Sequence, residues 1–207
     1  MDNPWKWKSK RLAVVAVILA ASAAFNIKLF TEQREQVHAE KKEIAAIMTV
    51  MQRADSQLQG AILNIENGGG AADSLYVFGE VRAKLSEAAG GLENMRIGKI
   101  GDADRTLEIG TMYQITHEFD TYLRDEVLAE WQMGDAMLDA SREQTLAELR
   151  SMKLDLSALA GLAQDPSSGE SYDIGKLSGQ WKEQVSQRIK EEPDTGFHKR
   201  LTERYGL

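Results

Sequence analysis

One tetrapeptide has the spacing of a metal-ligand pair. Glu35-Gln36-Val37-His38 is a Glu-x-x-His step, which places a carboxylate and an imidazole on one helix face. Di-iron bundles use two such steps plus two further glutamates, all turned inward. The other histidines, His117 and His198, have Gln114 and Thr195 three residues earlier. Glu35 and His38 also lie in a stretch that is almost wholly charged, so the expectation is a solvated helix face and no metal. His117-Glu118 with Asp120 reads similarly, as an acidic surface beside Ile115 and Phe119. Nucleophilic catalysis finds no local motif: there is no Cys and no Gly-x-Ser-x-Gly. Gly68-Gly69-Gly70 comes after no strand pattern and precedes no Gly-Lys-Ser/Thr, so it reads as a turn and not a phosphate loop. The expectation is a protein without cofactor that is not an enzyme.

The elements that would carry these residues are organised by Leu12 to Phe30, LAVVAVILAASAAFNIKLF. Nineteen helical residues rise ~28 Å, close to the hydrocarbon thickness of a bilayer. Lys28 lies near the outer end, where its long stem lets the ammonium reach the headgroups. On the other flank, Trp5, Lys6, Trp7, Lys8, Lys10 and Arg11 suit a cytoplasmic membrane interface. Residues 12–30 are therefore expected to cross the bilayer as a signal-anchor. The basic tail 1–11 would be cytoplasmic and everything after the span extracytoplasmic. Ala21-Ser22-Ala23 also fits a small-x-small cleavage pattern, so cleavage near Ala23 is the competing reading. Apolar character continuing past that site to Phe30 favours retention.

Charge narrows the partners. Five of the 25 cations and one of the 32 acids precede residue 31, leaving 20 against 31 and a net of −11. Phosphate contacts need clustered Lys and Arg, so nucleic acid is an unfavourable partner. With three Pro and many Ala, Leu, Glu, Gln, Lys and Arg, the fold class is all-α.

After the span, residues 31–165 read as an antiparallel helical bundle or coiled coil of three to four long helices. Helix one has apolar residues every seven positions at Val37, Ile44, Met51, Leu58 and Ile65, a seam suited to other helices or to self-association. The three glycines end it. A second helix, capped by Asp73 or Ser74, carries Leu75, Phe78, Val81, Leu85, Ala88, Leu92 and Met95 as one stripe. Its patch Ala88-Ala89-Gly90-Gly91 admits a close neighbour. Asp102 can cap the third helical segment. Met133-Gly134-Asp135 leaves residues 102–164 open to two readings, a broken pair of helices or one rod of ~90 Å, because a single helical Gly costs only ~1 kcal/mol.

Residues 166–207 are a linker and short helices, with Leu177, Trp181, Val185 and Ile189 on one face and Phe197, Leu201 and Tyr205 on another. They either dock on the bundle or offer a small apolar face. Trp131 and Trp181 are candidates for partner contact, since tryptophan is enriched at interface hot spots, with burial as the alternative. The layout is similar to the external helical regions of bacterial sensors and of some spore-germination proteins, in architecture only. The expected function is a single-pass scaffold or adaptor at the bacterial cell envelope, working by contact with another envelope protein or with itself. The alternative is a ligand-sensing bundle that signals through a partner membrane protein.

Overall fold

The computed structural model describes residues 4–99, 101–129, 131–162 and 173–207, with side chains in the first helix from residue 14 onward. Six α-helices and no strand occur among them. The chain divides into two compact units, Met1–Lys42 and Glu43–Leu207. The apolar run to residue 30 and the charged turns 32–42 fall together in the first unit.

Helix α1 spans Pro4–Glu66. Proline suits a helical first turn, where its missing N–H has no partner to lose. From Val14 to Phe30 the large apolar side chains are 47–68% exposed, and the most apolar 18-residue window is 0% buried. That separates it from the core helix of a soluble protein and makes it a candidate membrane span by length and composition. Thr31 Oγ1 donates to the Ile27 carbonyl at 2.9 Å where the apolar run ends.

The second unit begins with the remainder of α1, whose Ile44, Met51, Leu58 and Ile65 are buried with Ile47, Ala54 and Ala61 between them. The helix closes as a Schellman turn: Gly68, at φ 82°, donates to the Ile65 carbonyl and Gly69 to that of Asn64. Helix α2 (Ala71–Ile97) starts earlier than the sequence suggested. Gly70, not Asp73 or Ser74, is its N-cap, and the Ala71 N–H is satisfied from afar by Asp135 Oδ1 at 2.6 Å. At Gly91 an added Cβ would stand 2.9 Å from Ile47 Cγ1, so the small patch does admit a neighbour, the Ile47 side chain.

Asp102 caps helix α3 (Ala103–Tyr122), accepting from the Arg105 N–H at 3.1 Å. α3 runs into a π-helical turn, Leu123–Val127, where Leu128 N–H reaches back to the Leu123 carbonyl. A short 3₁₀ turn, Trp131–Met133, comes next. Gly134 then takes φ 105°, ψ −173°, a conformation that essentially only glycine holds. Helix α4 (Asp135–Gly161) returns along α1, which decides for the compact bundle over the rod. Trp131 locks the corner, edge-on to Phe78 at 5.6 Å, with its indole N–H on Ser141 Oγ at 3.2 Å.

Residue pairs give the helix directions. Ile47 meets Gly91 and Asn64 meets Ser74, so α1 and α2 are antiparallel. Glu66 pairs with Arg150 and Asp55 with Ser157, so α4 also opposes α1. Arg82 pairs with Asp120 while Arg96 lies at Gly110, opposing α2 and α3. Helices α1 to α4 thus form an up-down-up-down bundle.

The C-terminal segment is part of this core and does not hang free. Helix α5 (Ile174–Glu191) is capped by Asp173 and enters between α3 and α4. It runs parallel to α3, with Arg105 near Asp173 and Ser178 Oγ on the Glu108 carbonyl, and antiparallel to α4. Ile174, Leu177, Trp181 and Val185 are buried. Helix α6 (Gly196–Tyr205) starts at the Thr195 cap and places Phe197 against Phe119 (4.5 Å) and Tyr122 (5.5 Å). Burying side chains of this size contributes roughly 1.5–3 kcal/mol each. The linker expected from residue 166 lies mostly outside the described residues.

Candidate functional site: charges buried beneath the C-terminal helix

The chemistry-bearing residues of the second unit converge where α6 crosses α3, α4 and α5. Two acids anchor the region. Glu118, on the inward face of α3, is 0% exposed. Its Oε1 contacts Arg200 Nε, and its Oε2 accepts from Tyr205 Oη at 2.8 Å and Arg204 Nη1 at 3.3 Å. Arg200 also reaches Glu126 Oε1 at 2.9 Å and Asp125 Oδ2 at 3.2 Å. Both of these acids sit on the π turn. Burial alone would lower the Arg200 pKa, and pairing with Asp125, Glu118 and Glu126 outweighs it and raises it.

The second acid is Asp155 on α4. Its Oδ1 accepts from Arg188 Nε of α5 at 2.8 Å, and its Oδ2 faces His198 Nε2 of α6 at 2.8 Å. The other ring nitrogen, His198 Nδ1, faces the Glu192 carbonyl at 2.7 Å. A carbonyl and a carboxylate oxygen both accept, so the doubly protonated imidazolium is the form of His198 that satisfies both. Burial pushes its pKa down, the bond to Asp155 pushes it up, and the net shift is upward. Arg188 is completed by Glu191 at 3.0 Å and Glu192 at 3.0 Å. Glu192 is held below its ordinary value chiefly by the Ser151 hydroxyl.

Such buried pairs fix geometry more than they add net stability, since desolvation offsets much of the attraction. With both ring nitrogens bonded to acceptors, His198 has no lone pair with which to take a proton. Glu148 extends the arrangement, accepting from the Gly196 N–H at 3.0 Å and from Tyr122 Oη at 3.2 Å.

Elsewhere, an open groove of about 660 Å³ lies between the end of α2 and the start of α3, beside Arg96, Leu107, Gly110 and Tyr113. Three of its polar side chains are engaged within the chain: Arg96 is bidentate with Glu93, and Thr106 and Thr111 donate to main-chain carbonyls.

No protein-family model matches the chain, and no curated protein or solved structure matches it either. Its function has to be read from residue geometry.

The structure sorts the residues singled out in sequence. Trp5, Lys6, Trp7, Lys8, Lys10 and Arg11 lie on α1, and their side chains are outside those described. Ile44, Met51, Leu58 and Ile65 are buried in the core of the second unit, so the seam expected to serve self-association is covered within the chain. Val37 alone of the five is exposed. Trp131 and Trp181 are core residues, at 1% and 0% exposure, and offer no surface to a partner. Glu35 and His38 are exposed. The acidic surface expected at 117–120 is a correction: Glu118 and Asp120 are buried, Asp120 paired with Arg82 at 2.8 Å, and His117 stacks on Tyr113. Sequence reasoning missed the Glu118–Arg200 and Asp155–His198 pairs. Their one trace was a carboxylate on an otherwise apolar helix face.

Proposed function

We propose that this is a single-pass membrane-anchored protein, cytoplasmic at its N-terminus, whose helical unit acts outside the membrane by protein–protein contact as a scaffold or adaptor at a bacterial cell envelope. It works without catalysis. The observation that carries the reading is the contrast along α1: the apolar run through Phe30 is uncovered, while from Ile44 onward the apolar face is buried. Water does not tolerate an uncovered apolar run of that length, and a bilayer does. The basic, tryptophan-bearing flank supports the orientation.

The test uses the absence of cysteine. Met133→Cys adds one thiol at a residue 80% exposed. An impermeant maleimide should label it on intact cells, and protection until lysis would reverse the orientation. Crosslinking of the full chain in its own membrane, read by mass spectrometry, then addresses the contact. A defined second envelope protein, or symmetric self-capture, supports the adaptor. Capture of neither sinks it.

The competing reading, a small-molecule sensor, rests on the groove at Leu107 and Tyr113. It predicts a rise in the melting temperature of the full chain with a metabolite, abolished by Leu107→Arg.

A further inference from the structure

α6 is ten residues long, and three of its side chains, His198, Arg200 and Arg204, are cationic groups directed at acids on other elements. Two of them differ from the third in chemistry. Arginine keeps its charge at any pH a cell meets, whereas histidine does not. His198 is also the buried one, at 1% exposure, with both ring nitrogens on acceptors.

We infer that His198 makes the docking of α6 a pH-sensitive latch: as the imidazolium it ties α6 to α4 and α5, and as the neutral ring it releases the helix from Phe119 and Tyr122.

The physical reason lies in the two acceptors. Loss of one proton leaves a ring lone pair facing either the Asp155 carboxylate or the Glu192 carbonyl, at a ring sealed from bulk solvent. The charged groups around the ring are few. α4 contributes Asp155, with Glu148 on the Gly196 N–H behind it. α5 and the turn after it contribute Arg188, Glu191 and Glu192. α3 reaches α6 through Glu118, by way of Arg200 and Arg204. α6 itself adds Lys199, paired with Asp194, and the Phe197 ring at 6.0 Å. Asp155 stays paired with Arg188 when His198 discharges, and the neutral ring keeps a proton for only one of its two acceptors.

The pKa of His198 is raised on docking above its ordinary 6.5. The contribution to docking is therefore full below about 6.5 and falls by up to about tenfold per pH unit until the docked value is passed, after which it is gone. Alkaline conditions open the latch and acid keeps it shut.

The experiment uses the full chain in lipid nanodiscs. The sequence has no cysteine, so Ala140→Cys on α4 and Glu203→Cys on α6, both exposed positions, accept two spin labels cleanly. Dipolar spectroscopy between about pH 6 and pH 9 should give one short distance at the acid end. A second, broad population should grow by up to about tenfold per unit toward the alkaline end. An unchanged distance distribution across that range overturns the proposal. His198→Gln, which does not titrate, should show a distribution independent of pH. If it responds as the parent does, another group is the sensor and the inference fails. Should His198→Gln not fold, Asp155→Asn serves in its place: it should move the parent's midpoint to lower pH, and an unmoved midpoint also overturns the assignment.

Discussion

Replacing Glu118 with Gln changes almost nothing in volume and removes one buried charge. The carboxylate is fully buried and receives Arg200, Arg204 and Tyr205. Removing one member of such a pair costs about 3–5 kcal/mol, because the other charge is left dry and unpaired. Here Arg200, 11% exposed, retains Asp125 and Glu126. Those two acids are substantially exposed and screened, so they compensate only in part. The expected loss is about 3 kcal/mol, or on the order of 6–12 °C in Tm for a unit of this size. Urea unfolding of the full chain in mild detergent measures it, with Trp131 and Trp181 as buried fluorophores whose signal moves only when the bundle opens. Adding Arg200→Met should recover a sizeable part, a coupling of at least about 1 kcal/mol. Glu203→Gln, on the exposed face of α6, should stay within about 0.5 kcal/mol. A loss below about 1 kcal/mol for Glu118→Gln would refute the reasoning, because the carboxylate would then be wet and the pair unimportant.

Three further outcomes can be checked with the same preparation. Gly196→Ala drives a Cβ into Tyr122 Oη, well inside van der Waals contact, so the ring or α6 must move, at about 1–3 kcal/mol. An unchanged melting curve would contradict that. Asp135→Ala removes the acceptor from the first N–H of α2 and should cost ~1 kcal/mol, as loss of a helix cap does. Serine at 135 should recover less than half of it, because its shorter side chain does not span the gap between α4 and α2. Tyr205 is raised to about 12 by burial and by its bond to Glu118. The folded chain favours its neutral form, so this contribution is intact below pH 10 and lost as pH climbs through about 12. Tyrosinate absorbance measured beside helicity should show a larger loss in the parent than in Tyr205→Phe, where Tyr122, also raised by burial, still contributes.

Much of the fold was legible because helical burial repeats locally. The stripe from Phe78 to Met95 and the four-residue spacing from Leu177 to Val185 both mark inward faces correctly. The Gly134 corner was not legible, since one glycine is nearly neutral between a bend and a continuous helix. The deciding contact is Trp131 against Phe78, more than fifty residues earlier in sequence. The π turn at 123–127 has no sequence signal that distinguishes it from the α-helix it extends. The charge network was the least legible part. Glu118 and Arg200 are 82 positions apart, and each taken alone looks like an ordinary surface charge. Local pattern cannot pair them. The seam of α1 was read correctly as apolar, but whether its partner is this chain or another copy is a tertiary fact.

The order in which the helices are made adds a constraint of its own. Glu118 and Asp155 leave the ribosome well before Arg200 and His198. Until α6 arrives, the nascent bundle must either expose two acids meant for its interior or postpone closing around them. A chain stopped short of residue 196 stays in that state permanently. Its Phe119 and Tyr122 would then lack the Phe197 ring that packs on them in the finished bundle.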